Sequence, residues 1–290
     1  MLRLQKILLL AIAILAMSCS ATRHATSYTQ LSSDYSYDGI LEQCIYKCSV
    51  GGPTERRLFV YLPADYYESS EHYPTLYLLH GARGNELSWI TKGNLLSNVD
   101  SLVRCGQMAK SIIVLPNTNQ YKNDVDFAKS RIKGAVESFF ENDGVAECSL
   151  IEDVVKQVES SYRVIPSKNG RAIAGLSLGA MQAIHISATH PDMFDYIGLF
   201  SPVVHPCAQR SHCSALYKGL KRKQRVQFAS APKLYCIMIG RSDFFYPRMN
   251  GYCRYLRRKE YSHEYYVSPG GHQWYNWSMY CNLFLQQLWK

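Results

Sequence analysis

The sequence predicts an α/β fold in which a mostly parallel central sheet carries helices on both faces. Two observations point there. Unbroken apolar runs of strand length recur, such as Thr75 to Leu79 and Ile112 to Leu115, and a strand with no polar alternation is covered on both faces. Segments with helical apolar spacing alternate with these runs. A third, the composition, 47% hydrophobic and 19% charged over 290 residues, suits a globular chain with a large core and excludes a disordered or fibrous one.

In chain order, Met1 to Lys6 carries two basic residues, and the apolar run Ile7 to Met17 leads into Ser18-Cys19-Ser20. That run is too short to span a bilayer stably, so residues 1–18 read as an export signal peptide. Ala16-Met17-Ser18-Cys19 resembles the lipobox of bacterial lipoproteins, although it lacks the usual Leu three residues before the Cys. Cys19 is therefore the expected lipidation site, with a location in a bacterial outer membrane or periplasm; simple secretion with Cys19 incidental is the alternative. Residues 19–39, rich in Ser, Thr and Tyr, read as a tether. Residues 40–290 form the expected folded domain, with no internal repeat and no other run long enough to cross a membrane.

Ile40 to Val50 and Arg57 to Leu62 read as an antiparallel pair of strands turned by Gly51-Gly52-Pro53. Thr75 to Leu79 follows as a buried strand ending at His80-Gly81, and Ile112 to Leu115 is another. Leu150 to Tyr162 is helical by its apolar spacing. Ala172 to Ala174 is a strand, Gly179 to His190 a helix, and Tyr196 to Phe200 and Leu234 to Ile239 are strands. Asn250 to Lys259 is a helix, Glu264 to Val267 a strand, and Trp274 to Trp289 the last helix.

Charge and cysteine usage say less. The net charge of +9 owes part to Lys218 to Arg225, which reads as a solvated loop or helix face more than as a site for acidic polymer or lipid headgroups. No motif points to nucleic acid. Of the ten cysteines, nine remain once Cys19 is set aside. That odd number leaves at least one thiol unpaired, and Cys207 with Cys213 is the first pair to test. His205 and His212 lie in the same stretch, but without a familiar metal-ligand spacing.

The chemistry centres on Gly175-Leu176-Ser177-Leu178-Gly179. Two glycines flanking a serine occur by chance, so context decides. A strand enters, a helix leaves, and the small flanking residues permit a sharp turn that exposes a hydroxyl above the sheet edge. A serine hydroxyl is a poor nucleophile until a histidine takes its proton and an acid fixes the histidine's tautomer. His272 follows a strand and two glycines in Pro269-Gly270-Gly271-His272, and Asp243 lies just beyond Leu234 to Ile239. These are the candidate base and acid. The oxyanion donors expected are the N–H of Leu178 and, in the loop His80-Gly81-Ala82-Arg83-Gly84, that of Ala82. His80 itself reads as a brace for that loop.

These motifs together resemble the esterase D-like α/β-hydrolases, and within them the feruloyl and acetyl xylan esterases of carbohydrate esterase family one. The resemblance runs from Glu55 to the C-terminus. It rests on Tyr73 to Gly81, Leu115 to Asn119, Arg171 to Gly179, Phe194 to Gly198, Gly240 to Asp243 and Gly270 to Trp274. It implies an α/β-hydrolase fold, a triad of Ser177, Asp243 and His272, and an oxyanion hole of Ala82 and Leu178. It also implies a cleft lined by Trp89, Asn117, Asn119, Tyr121 and Trp274, and no cofactor or metal. Gly179 is followed by Ala180 where the family often has a second Gly, and Phe139 to Cys148 matches no family motif.

The expectation is an exported serine esterase acting on acyl or feruloyl esters of plant cell-wall polysaccharide, touching membrane only through its lipid anchor. The alternatives are an esterase for siderophores or other small esters or thioesters, an acyltransferase, and an idle carbohydrate-binding surface protein.

Overall fold

The structure, a computed structural model, describes residues 37–51, 55–118, 143–204 and 212–290. The segments read as signal peptide and tether, apart from residues 37–39, lie outside these residues, as do Cys19, Asn119, Tyr121, His205 and Cys207.

Eight strands form one sheet in the order β1-β2-β4-β3-β5-β6-β7-β8. They are β1 Ile40–Lys47, β2 Glu55–Leu62, β3 Thr75–Leu79, β4 Ile112–Pro116, β5 Arg171–Leu176, β6 Tyr196–Phe200, β7 Leu234–Gly240 and β8 Glu264–Ser268. β2 runs antiparallel to β1 and to β4, and the remaining neighbours are parallel. In register, Leu79 faces Gly175, Leu176 faces Phe200, Phe200 faces Met238 and Gly240 faces Ser268. The carboxyl ends of five parallel strands therefore meet along one edge, where α/β sheets place their sites.

Alternation along the buried strands divides the core into two layers. Tyr77, Leu79, Ile173, Ile197 and Ile237 point one way; Leu76, Leu78, Ala172, Ala174 and Met238 point the other. The first layer is closed by α5 (Leu178–Thr189) through Ala180, Ala183 and Ile184, and by α7 (Tyr246–Arg258) through Met249, Tyr252 and Leu256. The second is closed by α1 (Ser88–Gly93), α2 (Leu95–Arg104) and α8 (Trp274–Leu285). α5 is buried on nearly its whole circumference because α6 (Leu220–Gln227) covers its outer side.

Several elements differ from their sequence reading. α1 and α2 are helices that were not anticipated, and Asn94 links them in a left-handed conformation at φ 53. The expected helix from Leu150 starts earlier, as α3 (Val145–Ser149), then a π-helical stretch Leu150–Val155, then α4 (Lys156–Ser161). α7 begins at Tyr246 rather than Asn250, since Pro247 sits in its first turn, where the missing N–H costs nothing. The basic stretch forms α6, with Lys221, Arg222 and Arg225 exposed. Among the described residues, no helix is long and apolar enough to cross a membrane.

Candidate active site

β5 carries Leu176 into Ser177, and α5 starts at the next residue. Ser177 has φ 52 and ψ −109, a conformation costly for a residue with a side chain. The turn is possible because its two glycines touch. A Cβ on Gly175 would lie 2.6 Å from the Gly179 carbonyl carbon, and one on Gly179 would lie 2.4 Å from the His80 carbonyl oxygen. Leu178, at the first position of α5, has an N–H with no intrahelical acceptor.

The two loops that follow β7 and β8 are tied to one another. Arg241 N–H donates to the Ser268 carbonyl at 2.8 Å and Ser242 N–H to the Gly270 carbonyl at 2.9 Å. A Cβ on Gly240 would fall 2.2 Å from the Gly270 oxygen, so only glycine permits this approach. Gly270 itself turns at φ 87. Asn276 of α8, fully buried, donates to the Pro269 carbonyl at 3.1 Å and to the Gly271 carbonyl at 3.0 Å, clamping the loop that presents His272.

Ser177, His272 and Asp243 meet there. The Ser177 hydroxyl donates to His272 Nε2 at 2.9 Å, and His272 Nδ1–H donates to Asp243 Oδ2 at 2.9 Å. A carboxylate only accepts, so the ring proton sits on Nδ1 and Nε2 is free to take the serine's. Burial pushes the Asp243 carboxyl up, but donors from His272, the Phe245 N–H and the Ser201 hydroxyl outweigh it and hold the group below its usual range. The serine is only 3% exposed. Aromatic rings surround the imidazole, with Phe244 at 4.4 Å, Trp277 at 4.8 Å and Phe245 at 5.4 Å between centroids, and Phe244 is 65% exposed.

The loop after β3 is equally constrained. His80 Nδ1–H donates to the Gly81 carbonyl at 2.8 Å, while Nε2 accepts the Thr118 N–H at 3.0 Å. Complete burial holds its pKa down at about 4, with hydrogen bonds to Gly81 and Asn117 offsetting part of that, so the ring is neutral and braces the loop carrying Ala82. The unfolded chain's histidine titrates near 6.5. Folding stability from His80 is thus complete above about 6.5 and is lost as pH falls toward about 4. Urea unfolding should show a loss on the order of 2–3 kcal/mol across that window, flattened in His80→Gln.

The expected cleft residues fare differently. Trp89 does not line a cleft: it is 1% exposed, its indole N–H donates to the Leu79 carbonyl at 3.0 Å, and it packs edge-on against Phe200 and Trp274. Trp89→Ala is expected to lower stability by about 3–5 kcal/mol in urea titration. Asn117 donates to Glu86 Oε2 at 2.6 Å, and Glu86 also accepts from Arg57 at 3.0 Å, so its amide holds the segment after Ala82. Trp274 is half-buried between Trp89 and Trp277. Cys213 is buried, while its suggested partner Cys207 lies outside the described residues. Among the described residues, no group of three or more His, Cys, Asp or Glu is placed to hold a metal.

A mostly parallel sheet, a strained serine between β5 and α5, and an acid and histidine after β7 and β8 define an α/β-hydrolase. The profile of the "Putative esterase" family matches residues 49–245, and the chain belongs to that family. An endo-1,4-beta-xylanase/feruloyl esterase of Xylanibacter ruminicola is 34% identical over 146 residues, which are 49% of this chain and 19% of that protein. The matched stretch is thus less than a fifth of that relative's length. A solved ferulic acid esterase superposes with TM-score 0.71 at 21% identity, covering 88% of this chain and 98% of that one. A ferulic acid esterase of Anaeromyces mucronatus gives 0.66 at 22%, covering 88% and 92%. An S-formylglutathione hydrolase of Staphylococcus aureus gives 0.62 at 17%, covering 87% and 98%.

Proposed function

We propose that this chain is a serine esterase of the carboxylic ester hydrolase class, working through Ser177, His272 and Asp243. Ser177 Oγ attacks the ester carbonyl as His272 Nε2 takes its proton. The N–H groups of Ala82 and Leu178 receive the oxyanion. Collapse breaks the bond to the alcohol, which leaves with the proton from His272. Water, deprotonated by the same imidazole, then releases the acid and restores the serine. Asp243 keeps Nδ1 protonated and compensates the imidazolium charge. The observation that carries this reading is the continuous hydrogen-bond chain from Ser177 through His272 to the buried Asp243.

The substrates in this reading are acyl or feruloyl esters on plant cell-wall polysaccharide. Two things support it: the identity shared with a xylanase/feruloyl esterase, and the exposed Phe244 ring beside the imidazole, a surface suited to a planar aryl group. The chain would be exported through residues 1–18 and anchored by a lipid at Cys19, with residues 19–39 as tether and 40–290 as the catalytic domain.

The test is a panel of methyl ferulate, acetylated xylan, a short-chain thioester and a siderophore triester, run on wild type and Ser177→Ala. Preference for either plant-derived ester is expected, along with stoichiometric fluorophosphonate labelling that Ser177→Ala abolishes. Preference for the thioester or the siderophore would move the substrate class. A wild-type protein that does not label would leave an idle scaffold.

A further inference from the structure

The residue after β6, Ser201, is fully buried and holds φ 50, a left-handed conformation in a non-glycine residue. Such strain persists only where the surroundings enforce it, and it concentrates at functional sites. The surroundings here adjoin the proposed triad. The carbonyl of Phe200, which forms the peptide bond to Ser201, accepts the Ser177 N–H at 2.8 Å, and the Ser201 N–H donates to Met238 at 2.8 Å. The Ser201 hydroxyl accepts the Trp277 indole N–H at 3.1 Å and faces the Asp243 carboxylate, whose ionised form it favours. The Trp277 ring, in turn, packs edge-on against His272 at 4.8 Å.

One hydroxyl has a single proton to give, and this one has a fixed use for it. The indole N–H occupies one of its lone pairs, so the proton is directed at Asp243. The carboxylate is then surrounded by the Phe245 N–H on Oδ1 at 2.9 Å, His272 on Oδ2 at 2.9 Å, and Ser201. Glycine at 201 would relieve the backbone strain at no steric cost. A serine is kept in this conformation although glycine would fit it better.

Resting on the serine-esterase reading, we propose that Ser201 and Trp277 form a positioning pair: Trp277 orients the Ser201 hydroxyl, and Ser201 fixes and charge-compensates Asp243, so that the acid and the base are held as one rigid unit beside Ser177. Neither residue touches substrate. Tyr280 of α8, whose hydroxyl is bonded to Ser268, also faces Asp243.

Removing the hydroxyl leaves a buried carboxylate short of a donor, and its charge then draws harder on the His272 proton. In Ser201→Gly and Ser201→Ala, kcat on the best ester should fall about tenfold with KM within about twofold. The acid limb of kcat/KM should move to higher pH, and the NMR resonance of the His272 Nδ1 proton, which reports its bond to Asp243, should shift. Trp277→Phe should move both in the same direction by less. The double variant Ser201→Ala/Trp277→Phe should be no worse than Ser201→Ala, because the two act in series. Ser201→Gly should also melt above Ser201→Ala, which guards against a variant that merely fails to fold. An unchanged kcat and an unchanged His272 Nδ1 proton resonance in Ser201→Gly would overturn the proposal. If wild type neither hydrolyses nor labels, the esterase reading fails instead, and the Nδ1 proton resonance still decides whether Ser201 acts on the Asp243–His272 pair.

Discussion

Asp243→Asn is expected to lower kcat by three to four orders of magnitude, roughly, with KM and thermal stability much less affected. The geometry shows why so small a change has so large an effect. In the wild-type protein both carboxylate oxygens accept, Oδ1 from the Phe245 N–H and Oδ2 from His272 Nδ1–H. An asparagine has one oxygen for these two donors. If the oxygen serves Phe245, the amide NH2 faces Nδ1, and the imidazole adopts the tautomer with its proton on Nε2. That proton then points at Ser177 Oγ, where the base lone pair is needed. If the amide is turned the other way, the NH2 opposes the Phe245 N–H and the turn that starts α7 is disrupted. Either arrangement also removes the negative charge opposite the imidazolium. Steady-state kinetics at neutral pH measure this directly, and a loss smaller than about tenfold would remove Asp243 from the acid's role.

The sequence reading and the structure agree where the determinant is local and part where it is not. Thr75 to Leu79 and Ile112 to Leu115 were legible as buried strands because an apolar run without alternation has few other uses. Ser177, Asp243 and His272 were legible because each lies immediately beyond a strand end, and a parallel sheet gathers such positions at one edge. Ser201 and Asn276 were not. Ser201-Pro202 reads as any loop start, and Asn276 as any polar residue in a first helical turn. Their contacts, with Trp277 and Asp243 in one case and with Pro269 and Gly271 in the other, exist only after the loops have docked. Trp89 shows the opposite failure. A tryptophan near a site suits a cleft wall and a core equally well, and the sequence contains nothing to say that the Leu79 carbonyl takes its indole N–H. α1 and α2 were missed because Gly93-Asn94 interrupts their periodicity, whereas Asn94 turns the chain in left-handed geometry and lets a second helix begin at once.

Gly179→Ala should lower kcat by about 10²- to 10³-fold and cost about 1–3 kcal/mol of stability, although it adds one methyl group to the start of a helix. The new Cβ would lie 2.4 Å from the His80 oxygen, 2.8 Å from the Leu79 oxygen and 2.9 Å from the Leu79 carbonyl carbon. All three are backbone atoms, so no rotamer change can yield. The start of α5 must move away from the end of β3, and each carries a proposed oxyanion donor: Leu178 directly precedes the substituted residue, and Ala82 follows His80 by two. Displacement on the order of 1 Å between two donors that must converge on one oxygen is enough for a loss of this size. A second glycine separates this effect from glycine replacement in general. Gly251 lies within α7 with nothing inside 4 Å of its would-be Cβ and no positive φ, so Gly251→Ala should raise stability by up to about 1 kcal/mol and leave kcat unchanged. Measured side by side by urea unfolding and ester hydrolysis, the two substitutions should diverge in both readouts. Wild-type kcat in Gly179→Ala would mean that the α5 start and the His80 loop do not act together on the oxyanion.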